Sequence, residues 1–499
     1  MAFLARMLGF GPKRPLPERV PTDEVVPVHF WDDMPFLRGA TLMWTFRFDD
    51  VLDADMLGTS LSELFESEGW RKLGGRLRLK PDGKIEVHIP TPFTPERPSL
   101  YFTKQHFDVS MSEHPEASKL PAAGDKPAIF PAASEYASLG LGPGAPRHID
   151  DYLYSDVPQF SLHVVTFEDG TLVSINFNHV TTDAGGLRAV LDAWQLHLAG
   201  KPEAKAEFMS IRDGMAGLYK GPPPQANVIA DMRLSGWRMA VWGLCFLWDN
   251  WWTSHERRTV CIPKTVMDKL LQNARNDLAR VTPKGQDVPF VTEGDVLLAL
   301  SLRLAAHNLG PSSTRTITQM MAVDPRGRAK SVFKEGGAYV QNSPAAVFAS
   351  CPASDAREKS LGELALHMRK AIVAQTTEAQ LLTMAAEGND VMRKTGNLPV
   401  FSRMNALFTV SSSWSKAKLF ESIDFSPAIV KPSSKIQPEG STWKPGHPVF
   451  YHSRNMEKSS PFSTCLILNM GRDHGGNMWV GGDQSLPAWS RLIDILNSQ

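Results

Sequence analysis

Cysteine is scarce: the 499 residues include four, Cys245, Cys261, Cys351 and Cys465, widely spaced and with no C-x-x-C pair. That excludes a zinc knuckle or a disulfide framework as the organising device and suits a reducing, cytoplasmic compartment. An excess of one charge is also missing. Lys and Arg number 53, as do Asp and Glu, so no strongly charged partner such as nucleic acid is indicated. No apolar run is long enough to span a bilayer. The N-terminal MAFLARMLGFGPKRP is too short in its apolar part for a signal peptide, and Arg6 interrupts it. The G-x-S-x-G elbow that presents a serine nucleophile does not occur. No internal repeat is visible.

The most apolar window present is Trp237 to Trp252, WRMAVWGLCFLWDNWW. It is shorter than a membrane span and carries Arg238 and Asp249, which reads as an amphipathic or buried helix. Its tryptophans also suit peripheral contact with a membrane surface.

Periodicity divides the rest. Residues 1–30 form a proline- and charge-rich lead-in. Residues 31–205 hold a strand over Thr41 to Phe48, a helix over Ala54 to Glu68, and a hairpin around Pro81-Asp82-Gly83. Pro115, Pro121, Pro127, Pro131, Pro143 and Pro146 make a long regular element improbable between 108 and 150. Residues 206–256 contain the linker Gly221-Pro222-Pro223-Pro224 and the Trp-rich helix. Residues 257–499 then alternate helical patterns (Val266 to Leu278, Thr292 to Leu309, Leu361 to Gln375) with strands (Thr314 to Val323, Ala406 to Val410, Thr464 to Met470, Trp479-Val480). Alternation of this kind indicates an α/β fold.

The chemistry concentrates in Thr171 to Leu198, TLVSINFNHVTTDAGGLRAVLDAWQLHL. Val173, Ile175 and Phe177 alternate with polar residues, as in a half-buried strand. Leu187, Val190, Leu191, Trp194 and Leu198 follow at helical spacing. Between them stand His179, Asp183 and Gly185-Gly186. A histidine at a strand end on a glycine-rich turn suits a general base, because neutral imidazole accepts a proton near pH 7. An aspartate four residues on can fix the turn through charged hydrogen bonds or cap the helix. Further metal ligands are not clustered nearby, so no metal site is expected.

His179-x-x-x-Asp183 resembles the HxxxD signature of the CoA-dependent acyltransferases called BAHD, which include plant natural-product acyltransferases and fungal trichothecene O-acetyltransferases. Other landmarks follow in the family's order. Gly74-Gly75-Arg76 resembles its early GR region, Asp324-Pro325-Arg326-Gly327-Arg328 its VDxRxR region, and Ala338 to Val347 its YxGN region, with Asn342 matching. Asp424-Phe425 begins a degenerate form of its DFGWG motif, with Ser426 and Pro427 where glycine and tryptophan are usual. The usual HxxxDG also departs here, because Ala184 follows Asp183.

The resemblance implies two similar chloramphenicol-acetyltransferase-like halves, mixed sheets flanked by helices, joined by a long crossover. It implies an acyl-CoA-dependent O-acyltransferase, acetyl-CoA being the expected donor and a hydroxylated hydrophobic natural product the acceptor. No cofactor would be permanently bound, and the enzyme would be a monomer. His179 would be the catalytic base. Asp183 would be structural and pair with Arg326 or Arg328, and Asp424 would shape the fold near the cofactor entrance. Two alternatives stand beside this reading. One is a condensation-type domain fed by carrier proteins, although those domains carry HHxxxDG and Asn178 replaces the first histidine. The other is a catalytically silent binding protein on the same fold.

Overall fold

The computed structural model describes residues 14–131, 133–252, 255–343, 345–436, 439–456 and 466–499. Residues 1–13 of the lead-in, together with Thr464 and Cys465, lie outside the described residues. The chain forms two α/β halves. The first is built on a sheet in the order Phe450–Asn455, Thr41–Phe48, Gly170–Asn178, Phe160–Phe167, Tyr101–His106. The second sheet runs Ala345–Pro352, Thr316–Val323, Leu407–Ser413, Leu466–Arg472, Met478–Gln484, Glu256–Ile262, Ala128–Phe130. Each half therefore lends the other an edge strand. Ala128–Phe130, from the proline-rich stretch, pairs antiparallel with Glu256–Ile262. Phe450–Asn455, from late in the chain, pairs antiparallel with Thr41–Phe48.

Local sequence sets the helices. Asp53 caps Ala54–Glu66 by accepting from the amides of Asp55 and Met56. Thr292 and Asp295 form a capping box at the start of Glu293–Asn308, and Ser360 with Glu363 does the same for Leu361–Gln375. Ala54–Glu66 and Ala184–Leu198 cover the first sheet, where Leu61, Leu64, Trp194 and Leu187 pack with Val173, Ile175 and Phe177. Lys264–Val281, Glu293–Asn308, Leu361–Gln375 and Leu486–Asn497 cover the second through Met267, Leu300, Met368 and Leu492. Helix Glu378–Thr395, strand Phe450–Asn455 and helix Leu486–Asn497 are elements that periodicity did not reveal.

The histidine strand, Gly170–Asn178, is buried along its whole length rather than on one face. Its polar side is roofed by the proline-rich segment: Asn176 Nδ2 donates to the Pro146 carbonyl at 2.7 Å, and Ser174 bonds Thr45 across the strands at 2.9 Å. Glycine lets that roof sit close. A Cβ on Gly142 would lie 2.0 Å from Thr103 Oγ1. Alternating polarity thus marked hydrogen bonding, not solvent contact. In the last hairpin, Arg472 does not pair with Asp473; it reaches Asp268 and Glu293, while Asp473 accepts from Trp479 Nε1.

The Trp-rich helix spans Gly236–Trp252. Trp242 and Phe246 pack against Phe348, Phe401 and Phe408, and Asp249 pairs with Arg315 at 2.7 Å. Its outer face keeps Trp237 (69% exposed), Leu244 (69%), Leu247 (62%) and Trp251 (82%) in solvent. Among the described residues no helix is long and apolar enough to cross a membrane, and no group of three or more His, Cys, Asp or Glu is arranged to hold a metal.

Candidate active site

His179 stands one residue beyond its strand, between the halves. Its peptide is held at both ends: the amide donates to the Ala40 carbonyl at 2.7 Å, and the carbonyl accepts from Asn342 Nδ2 at 2.8 Å. Asn178 firms the strand end, its Nδ2 donating to the Arg38 carbonyl and Thr41 Oγ1 while its Oδ1 accepts from the Val180 amide. The imidazole is half-buried, and its Nδ1 is sealed from solvent without a hydrogen bond. Burial pushes the ring below the ordinary histidine value, against the opposing pull of its own carbonyl and of Asp183. The ring is therefore neutral at pH 7 and able to accept a proton.

Asp183 hydrogen-bonds to groups other than the imidazole. It caps Ala184–Leu198 by accepting from the Gly186 amide at 2.8 Å. Both its oxygens take Arg326 Nη2, at 2.9 and 3.1 Å, and Oδ2 also accepts from the Ser343 amide. Arg326 continues to the carbonyls of Tyr339 and Gln341 and to Asp324. The guanidinium fork thus ties the histidine turn of the first half to segment 339–343 of the second. The close approach requires small residues. A Cβ on Gly186 would lie 2.1 Å from Thr182 Oγ1 and 2.4 Å from the Val340 carbonyl. Ala184, where glycine is usual, starts the helix and packs on the first core.

The other expected residues lie elsewhere. Arg328 does not pair with Asp183; it donates to Thr376 Oγ1 at 2.7 Å. Asp424 is exposed, accepts from the Ser426 amide, and does not join the His179 group. Residues that reasoning from sequence passed over do join it. Asp32 accepts from the backbone amide and side-chain amide of Asn342, at 2.7 and 2.9 Å. Lys72 is buried beside it and donates to the Ser210 carbonyl, and Ser210 Oγ in turn accepts from the amides of Val340 and Gln341. A buried Lys and a buried Asp lining one small cavity with Gln159 and Thr181 are a signal only once the chain is folded.

The chain is similar to known proteins in sequence and in fold. The Transferase family matches residues 146–437, more than half of the chain. O-acetyltransferase PaAT-2 of Phomopsis amygdali is 34% identical over 496 residues, covering 95% of this chain and 97% of its own. Acetyltransferase adrJ of Penicillium rubens is 34% identical over 482 residues, covering 96% of each. In fold the chain is similar to the crystal structure of F. graminearum TRI101 complexed with coenzyme A and T-2 mycotoxin, with a TM-score of 0.61 at 13% identity over 94% of this chain and 96% of that one. The chain belongs to the Transferase family, known as BAHD, and is an acyltransferase.

Proposed function

We propose that this acyltransferase carries an acyl group, acetyl in the first instance, directly from CoA to a hydroxyl of a hydrophobic natural product, with His179 as general base. The observation that carries the reading is His179 itself: a ring held neutral by burial, with its peptide fixed between the two halves. Support comes also from relatives named acetyltransferases and from a structural neighbour complexed with coenzyme A. No cofactor beyond the acyl-CoA co-substrate enters the reaction.

In the transfer, His179 takes the hydroxyl proton as the acceptor oxygen attacks the thioester carbonyl. The carbon–sulfur bond then breaks, and the imidazolium returns the proton to the departing thiolate. The products are an ester and free CoA thiol. Base and acid work by one residue contributes roughly 100- to 10,000-fold, and holding donor and acceptor together supplies much of the rest. Asp183 and Arg326 hold the turn and take no proton. The chain works as a monomer, and the exposed face of helix Gly236–Trp252 rests on a membrane surface, where indole rings favour the interface.

The test is thiol release from acetyl-CoA across a panel of lipophilic alcohols. Release that depends on the acceptor supports the reading. Release only from an acyl group attached to a carrier protein contradicts it.

A further inference from the structure

We infer that Asp32 is a positioning residue for this reaction: through Asn342 it fixes the His179 peptide and so the reach of the imidazole. The inference rests on the general-base reading of His179. Asp32 and Asn342 lie 310 positions apart in the chain and are each 3% exposed. One oxygen, Asp32 Oδ1, receives both the backbone amide and the side-chain amide of Asn342. That double hold orients the Asn342 carboxamide, whose Nδ2 donates at the same time to the His179 carbonyl. The two hydrogens of one amide group thus join Asp32 to His179. Burying a carboxylate is costly, and these bonds, with buried Lys72 nearby on the same cavity, offset only part of that cost: burial still raises the Asp32 carboxyl to about 7.

The arrangement is specific to position rather than to general stability. Asn342 belongs to the segment that Arg326, Ser210 and Thr182 already tie down, the last through Thr182 Oγ1 donating to the Val340 carbonyl. Loss of Asp32 therefore leaves the segment in place but frees the carboxamide to turn from the histidine. A misplacement of about 1 Å at a reacting group lowers turnover by roughly 100-fold.

Steady-state kinetics on Asp32→Ala, Asp32→Asn, Asn342→Ala and the double alanine variant test this, with His179→Ala alongside. Asp32→Ala is expected to lower kcat by about 100-fold while KM for acetyl-CoA stays within about threefold. Asp32→Asn, which keeps an acceptor oxygen at the same place, is expected to restore most of that loss. The double variant should be little worse than either single one, because both break the same chain of bonds. Parent-like kcat in Asp32→Ala, an effect confined to KM, or additive losses would each overturn the inference. If Asp32→Ala does not fold, Asn342→Ser keeps the backbone donor, deletes the carboxamide and carries the same prediction. The two readings separate cleanly. An active His179→Ala removes the general base, whereas an inactive His179→Ala beside a fully active Asp32→Ala removes only the role of Asp32.

Discussion

His179 is defined by what holds it more than by what it is. Its peptide is bonded on both sides and its ring is kept neutral by burial. A pKa below the ordinary 6.5 means that the base form persists further into acid. The acid limb of kcat/KM should accordingly lie below pH 6.5; a limb above it would contradict the assignment. Asp183 and Arg326 make the complementary prediction. Both are largely out of solvent, and breaking such a pair by removing one partner typically costs about 3–5 kcal/mol. Asp183→Ala should lower the urea midpoint and the soluble yield, and Asp183→Ala with Arg326→Ala should cost less than the sum of the two. An unchanged midpoint would show that the pair does not join the halves. Residues at this scale were legible where the signal was local. His179 and Asp183 are four apart on one turn, whereas Asp32 means nothing until Asn342 is folded against it. The choice between Arg326 and Arg328 could not be made from spacing, since only the path of the turn separates them.

At the scale of elements, the strand, turn and helix around His179 were readable because each period is carried by several residues. The roof over that strand was not. A segment rich in proline and glycine shows no period, yet it covers the polar face of the first sheet and supplies strand Ala128–Phe130. Strand Phe450–Asn455, FYHSRN, lacks clean alternation and is identified only by its neighbour Thr41–Phe48. The Trp-rich helix was legible as a helix, and its exposed face now gives a prediction. Leu247→Ser with Trp251→Ser should abolish co-sedimentation with lipid vesicles and leave turnover on a soluble acceptor unchanged. Equal sedimentation of parent and variant would end the proposal of membrane contact.

The whole molecule is held together by exchange. Each sheet ends in a strand from the other half of the chain, and the Phe450 ring of one sheet packs tilted against Trp479 of the other, with 4.9 Å between ring centroids. A protease site placed in the exposed 221–226 stretch should therefore give two fragments that elute as one particle and part only in denaturant. Separate elution would mean that the exchanged strands do not bind the halves. The site depends on this joint, because His179 comes from one half while Asn342 and Arg326 come from the other. The most direct test of the account is turnover of folded His179→Ala at saturating acetyl-CoA with an accepted alcohol. The account predicts a fall in kcat of roughly 100-fold or more, with the melting transition kept. Turnover near the parent rate would contradict it.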